Sequence, residues 1–424
     1  MDKKILTERL RGQFEQFITL REKLESNDAI VLRRKLFDAF EKNGFPDNKL
    51  EEWKYTNINQ FIDDSMYLFT DKDGIVLPKD EISALVETTG DNTVVFVNGF
   101  YSEELSKVCG GCVQIDDAGF MLSDVLPDED GYSLLHRAFA TEEITITLGG
   151  TIEDFPVKLL FCTYGTALPF IVQPRLNIVM PEGGEGIIIE RYAHFGDQKC
   201  LTNLEIRCDL GTDSILKHYR IQNFSENMVH VHNLEISQKE KSNYEVITVT
   251  TGSAVVRNTQ SIMLTESSAE TALYGAYSLD EDGFADNHTE VLHQASDTKS
   301  RQIYKGTLDA RSHGVFNGKV IVEKNLIHIN SDQNNKTMLL SENARMDTKP
   351  ELQIFSDDVK CSHGAALGHL DEDTLFFMRA RGIGEQKAKY IMNLAFIQDI
   401  IQKITDEALR EELLSNMKKK FLLE

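Results

Sequence analysis

The chain has 424 residues, 41% hydrophobic and 8% aromatic, and 45 basic against 68 acidic side chains give a formal charge of −23. That apolar content excludes a disordered chain, and the length exceeds one ordinary core, so two or three substructures or one elongated repeat array are expected. The acidic balance argues against broad nucleic-acid binding and against an anionic membrane partner, since both need a basic footprint. No apolar run approaches the ~18 residues that span a bilayer. The opening Met1-Asp2-Lys3-Lys4-Ile5-Leu6 lacks the apolar core of a signal peptide and reads as a helix start. Six cysteines, at 109, 112, 162, 200, 208 and 361, are too sparse for a disulfide framework, so reduced thiols in a cytoplasmic protein are expected.

Residues 1–90 read as a helical domain. Phe14, Phe17, Ile18, Leu20 and Leu24, then Ile30, Leu32, Leu36, Phe37 and Phe40, fall at helical spacing among charges. Gly44-Phe45-Pro46 breaks that pattern, and Trp53 and Tyr55 beyond it read as a packing anchor. From about 91 the texture turns to short β-type runs, Thr93–Val97, Ile144–Leu148 and Val157–Cys162. Within it Cys109-Gly110-Gly111-Cys112 is a lone pair of cysteines without the second pair a structural zinc site wants.

Between about 175 and 330 the sequence repeats. The residue before each polar turn falls at Met180, Cys208, Ser237, Leu264, His293 and Val322, at intervals of 28, 29, 27, 29 and 29 residues. Two strands and two turns per unit at that period describe a β-solenoid, since propeller blades run to ~40–50 residues. The core is therefore placed at 91–370. Two histidine-rich stretches lie inside it. His230-Val231-His232 puts two imidazoles on one strand face, read as polar residues on the solvent face. Asp286-Asn287-His288-Thr289-Glu290-Val291-Leu292-His293 reads as a polar coil between strands.

The stretch Asp358-Val359-Lys360-Cys361-Ser362-His363-Gly364 combines a soft thiolate ligand and an imidazole two residues apart. In an extended segment Cys361 and His363 share one face and Ser362 takes the other. A mixed S/N half-site suits iron, zinc or an iron–sulfur cluster, but it supplies only half of a tetrahedral set. A buried structural cysteine beside a turn-capping histidine explains the same spacing. Beyond Pro350 helical periodicity returns, so 371–424 is expected to form a carboxy-terminal helical domain: one helix behind Asp371-Glu372-Asp373, then one from Gly384 to about Leu423. Gly382-Ile383-Gly384-Glu385-Gln386-Lys387-Ala388 resembles a DNA-binding helix–hairpin–helix turn, but a plain helix–helix turn accounts for it. No phosphate loop, nucleophile elbow, His-Glu-x-x-His helix or ferredoxin cysteine run occurs.

Asp347-Thr348-Lys349-Pro350, Asp357-Asp358-Val359-Lys360-Cys361-Ser362-His363-Gly364 and Leu375-Phe376-Phe377-Met378-Arg379-Ala380-Arg381-Gly382-Ile383 resemble the SufB/SufD family of the SUF iron–sulfur cluster assembly system. So do Val315-Phe316-Asn317-Gly318, Asn334-Asn335-Lys336-Thr337 and the early Glu51-Glu52-Trp53-Lys54-Tyr55-Thr56. The Cys-Ser-His-Gly motif and the length favour the SufD branch over SufB. The resemblance implies a right-handed parallel β-helix between helical terminal domains, in a complex with SufB and the ABC-type ATPase SufC. It implies a non-catalytic scaffold that binds no nucleotide itself, with a homodimer possible in isolation. A transient iron–sulfur cluster would form at the SufB interface with Cys361 and His363, the partner chain supplying the missing ligands. Docking on the ATPase would fall to Leu375, Phe376, Phe377, Arg379, Arg381 and Gly382. His369 departs from the family's pattern. The alternative is a purely architectural β-helix without a metal role.

Overall fold

From Arg175 to His369 the chain deals its strands alternately into two sheets. The first sheet holds Arg175–Met180, Cys200–Leu210, Met228–Gln238, Val255–Leu264, Phe284–His293, His313–Val322 and Arg345–Ile354. The second holds Glu185–Phe195, Ile215–Phe224, Asn243–Gly252, Glu270–Leu279, Lys299–Leu308, Ile329–Leu339 and Val359–His369. Each strand pairs in parallel with the next but one, so two strands and two corners make one coil of a solenoid. The mainly β solenoid flanked by helices expected from the sequence is thus observed. The structure is a computed structural model that describes residues 3–70, 79–89, 92–108, 113–117, 119–120, 122–126, 129–149, 156–165 and 167–420. The Cys109–Cys112 pair lies outside the described residues.

The observed register corrects the sequence period. Met180 aligns with Leu210 rather than Cys208, then Gln238, Leu264, His293, Val322 and Ile354 follow in one column. The steps are 30, 28, 26, 29, 29 and 32 residues, less regular than the sequence suggested. Ladder pairing fixes strand register, so length differences collect in the corners. Those corners stack as well. Gly183, Asp213, Lys241, Asp297 and His328 all take positive φ of 55–64°. At Gly183, Asp213 and Lys241 the backbone N–H donates to a carbonyl of the next coil at 2.8–3.0 Å. Left-handed backbone costs a non-glycine residue about 1–2 kcal/mol; these inter-coil bonds offset it.

Inside the solenoid the two sheets share one core, running from Val94 and Phe96 through Leu204, Ile236 and Val246 to Leu308 and Phe316. Room for its large side chains comes from glycines in the neighbouring coil. Gly275 aligns with Tyr304 and Gly306 with Tyr277, and a Cβ on Gly306 would lie 1.7 Å from the Tyr277 ring. Tyr277 cannot retreat freely, because its hydroxyl is held 2.7 Å from Thr337 Oγ1. Gly306→Ala is expected to cost about 1–3 kcal/mol through overpacking, measured as a lowered urea midpoint at unchanged slope.

Among the described residues seven helices flank the solenoid: α1 (Lys3–Arg21), α2 (Asn27–Asn43), α3 (Lys79–Thr89), α4 (Gly131–Phe139), α5 (Glu372–Ala380), α6 (Glu385–Ile401) and α7 (Glu407–Lys420). Leu10, Phe14, Phe37 and Phe139 from α1, α2 and α4 cover an apolar stripe on the outer face of the first sheet, including Leu201, Val229, Val255 and Phe284. Trp53 is the expected anchor: it stacks on Tyr132, and the Arg257 guanidinium lies 3.7 Å from its ring centre. Arg257 is paired with Asp286, which also accepts from Thr56 Oγ1 at 2.5 Å.

The single carboxy-terminal helix expected from Gly384 to Leu423 is instead two, α6 and α7, within the described residues. The break at 402–406 places Thr405 against the Tyr219 hydroxyl at 2.8 Å, and Asp406 caps α7 by accepting from Leu409 N. A short capping side chain competes with the helical backbone, which periodicity alone does not register. Both helices then lie on the outer face of the second sheet, with Ile397, Ile400, Ile401, Leu409 and Leu413 packed on Ile187, Tyr219 and Ile247.

Candidate functional site

The solenoid ends open. Arg345–Ile354 and Val359–His369 are the last strands of their sheets, and each has a neighbour on one side only. Both leave a row of backbone groups unpaired within the sheet, which is a template for another strand. Residues that would be buried in any earlier coil are uncovered here. Ser331 and Gln333, facing the lumen in the penultimate coil, are 1% and 0% exposed. Their register partners are Cys361 and His363.

Cys361 and His363 therefore share the lumen-facing side of the last strand, as their spacing predicts. Ser362 faces the other way and donates to Asp332 Oδ1 at 2.8 Å. Cys361 is half-buried against Val320, Val322 and Ile329, and that burial pushes its thiol above the ordinary value, opposed by the Ser331 backbone amide. His363 is exposed. Among the described residues no three His, Cys, Asp or Glu side chains converge to hold a metal ion, so this end offers two donors. His369 lies on the same face, six residues further on. At ~3.3 Å per residue that is roughly 20 Å away, too far to share one ion with His363.

Next along the chain, Asp371 caps α5, accepting from Asp373 N, and none of its residues is buried. Phe376 and Phe377 are 73% and 56% exposed. The Arg381 guanidinium lies 4.4 Å from the Phe377 ring, and Arg379 pairs with Glu385 at 3.2 Å. Gly382 takes φ +83°, the left-handed turn that stops α5. Gly382–Ala388 is thus the turn between α5 and α6 together with the first residues of α6, and Leu375 is half-buried. The sequence-selected residues fall into two neighbouring groups, the last strand and α5, joined through Leu370 and Asp371.

Two readings of the histidines need correction. His230 and His232 do not face solvent; both are fully buried and point into the lumen. Their strand neighbours Val229 and Val231 take the outer face beneath the amino-terminal helices, so alternation turns the histidines inward. Nor is 286–293 a coil: it lies in the strand Phe284–His293, with Asp286, His288 and His293 buried.

The lumen around these histidines is charged. Glu190 lies 2.6 Å from His218 and 3.5 Å from Arg220, and Arg220 donates to Asn258 Oδ1 at 2.9 Å. Burial alone would raise the Glu190 carboxyl, but His218, His232 and Arg220 outweigh it and hold it well below the usual carboxylate range. Further along, Thr289 donates to Gln302 Oε1 at 2.6 Å, and so does Gln333 Nε2 at 3.3 Å. A polar tract thus approaches the open end from within. Sequence reading missed it; the signal was there at lumen positions, since Gln333 and Gln302 precede His363 by one and two coils.

Comparison with known proteins shows which family the chain belongs to. The family described as SUF system FeS cluster assembly, SufBD core domain, matches residues 163–396, more than half of the chain. The chain belongs to the SufB/SufD family. The SufBD amino-terminal region matches residues 8–112 as well. Among similar proteins are an iron–sulfur cluster assembly SufBD family protein of Synechocystis sp., 27% identical over 87% of this chain and 86% of its own length, and the SufD of Escherichia coli, 27% identical over 89% of each. The chloroplastic protein ABCI7 of Arabidopsis thaliana is 30% identical over 58% of this chain and 53% of its own. Family membership gives the chain a role in iron–sulfur cluster assembly. No described helix is long and apolar enough to cross a membrane.

Proposed function

We propose that this chain is the SufD-type scaffold subunit of a SufBCD-type complex. It performs no chemistry of its own, binds no nucleotide, and works in the reducing cytoplasm beside a SufB-type solenoid and a SufC-type ATPase. One observation carries the reading: Cys361 and His363 face the same side of a last strand that no further coil covers. A second solenoid set against this end brings the remaining ligands, and iron and sulfide, the cargo, meet between the two chains. A second copy of this chain would use the same edges in a homodimer. The exposed apolar face of α5 suits docking on the ATPase, whose hydrolysis cycle moves the subunits and opens the shared site.

Cys361 must lose its proton to act as a thiolate, and its burial opposes this. A bound cation reverses that preference, so assembly weakens as pH falls and protons compete for the sulfur and the imidazole. In the reconstituted three-subunit complex, prepared without oxygen, His363→Ala is expected to reduce cluster formation at least tenfold, read by iron and sulfide content and visible absorption. Cys361→Ala should reduce it less. His363→Ala should retain the wild-type unfolding midpoint, since that side chain is exposed, whereas Cys361→Ala trims a half-buried side chain packed on Val320, Val322 and Ile329 and should lower the midpoint slightly. Unchanged iron and sulfide in the doubly substituted complex would leave the chain a purely architectural subunit.

A further inference from the structure

We propose that Gln333 is the positioning residue for His363, holding the imidazole in one tautomer so that a single ring nitrogen faces the cargo. The inference rests on the role of His363 given above and adds to it a residue one coil deeper. Gln333 and His363 are direct register partners in adjacent parallel strands, both on the lumen side. The Gln333 side chain is fully buried, and only the last strand separates it from the open end.

Its amide is fixed from below. Nε2 donates to Gln302 Oε1 at 3.3 Å, and that oxygen is held in turn by Thr289 Oγ1 at 2.6 Å. The space it occupies exists because residue 318 is glycine: a Cβ there would fall 2.1 Å from Gln333 Nε2. With the nitrogen committed downward, Gln333 Oε1 is left buried without a donor. A buried acceptor with no partner is costly, and the side chain stacked on it in the next coil is an imidazole. A ring N–H of His363 donated to Oε1 satisfies the amide. It also leaves the other ring nitrogen unprotonated, which is the state that ligates a metal. A ligating histidine ordinarily has its second nitrogen fixed in this manner, because an unfixed ring divides its time between tautomers and orientations.

The test uses the full chain, assembled with its partner subunits and labelled with nitrogen-15 histidine, and reads the His363 tautomer from long-range proton–nitrogen correlations. The His363→Asn variant assigns the signal. Wild-type His363 is expected to show one tautomer. Gln333→Met, similar in volume but without an acceptor, should give a mixture at His363 alone, with the other imidazole signals unmoved and cluster formation reduced roughly three- to tenfold. Gln302→Met leaves Gln333 in place while releasing its amide, and it should shift the tautomer in the same direction even if Gln333→Met folds poorly. A mixed tautomer in wild type, or the wild-type tautomer retained in both variants, overturns the assignment. The failure of the underlying reading looks different: there His363→Ala itself leaves cluster formation intact.

Discussion

Glu190→Ala should be among the most destabilising single changes in this protein, at about 3–5 kcal/mol, because it leaves a buried guanidinium uncompensated. Arg220 is fully buried in the lumen and has no route to water. Its charge is balanced by Glu190 at 3.5 Å, with Asn258 accepting at 2.9 Å. Glu190 also takes the Tyr192 hydroxyl and faces His218 at 2.6 Å. Removing the carboxylate strands all three groups together. Glu190→Gln keeps the volume and some hydrogen bonding but not the charge, so its loss should be intermediate. Urea unfolding of both variants at neutral pH measures this. A loss below about 1 kcal/mol for Glu190→Ala would show that Arg220 does not depend on this carboxylate.

Acid should unfold the protein well before its ordinary carboxylates titrate. Burial depresses His136, His230 and His288 to about 3 and His293 to about 4, so all four are neutral in the folded chain. In the unfolded chain each takes up a proton near pH 6.5. Between about pH 6.5 and 4 the unfolded state therefore binds more protons, and stability falls as pH falls. Each histidine contributes up to ~1.4 kcal/mol per pH unit, so the four together approach ~5 kcal/mol per unit. Against a total of roughly 5–15 kcal/mol, that places the transition near pH 5. Glu190, held low in the folded state, adds its own loss once the pH drops below the usual carboxylate range. Urea midpoints at about pH 7.5, 6.5 and 5.5 give the slope, and His288→Asn should flatten it by about one proton. A pH-independent midpoint across that window would mean these histidines take up protons equally in the folded and unfolded chains, which overturns the prediction.

How much was legible beforehand divides by the range of the interaction. Local alternation determined that Cys361 and His363 share a face, and composition marked Trp53 as an anchor; both follow from geometry within a few residues. The repeat was visible through its turns, although its register was not. Met180 pairs with Leu210 because the ladder counts hydrogen bonds, whereas the sequence shows only where polar turns begin. His230 and His232 were misplaced for a related reason. A histidine pair on one strand face reads as solvent-facing until the opposite face is known to lie under α1 and α2.

By itself the sequence determined the solenoid class, the helical segments at either end and the motif that marks the last strand, because periodicity and local chemistry act along the chain. Only the tertiary structure decided that this motif lies on an uncovered coil, that α5 leaves Phe376 and Phe377 in solvent, and that Gln333 stands directly behind His363. Each of those depends on which coil stacks on which. Stacking in a solenoid is set by parallel pairing between residues about thirty apart, beyond the reach of any local pattern.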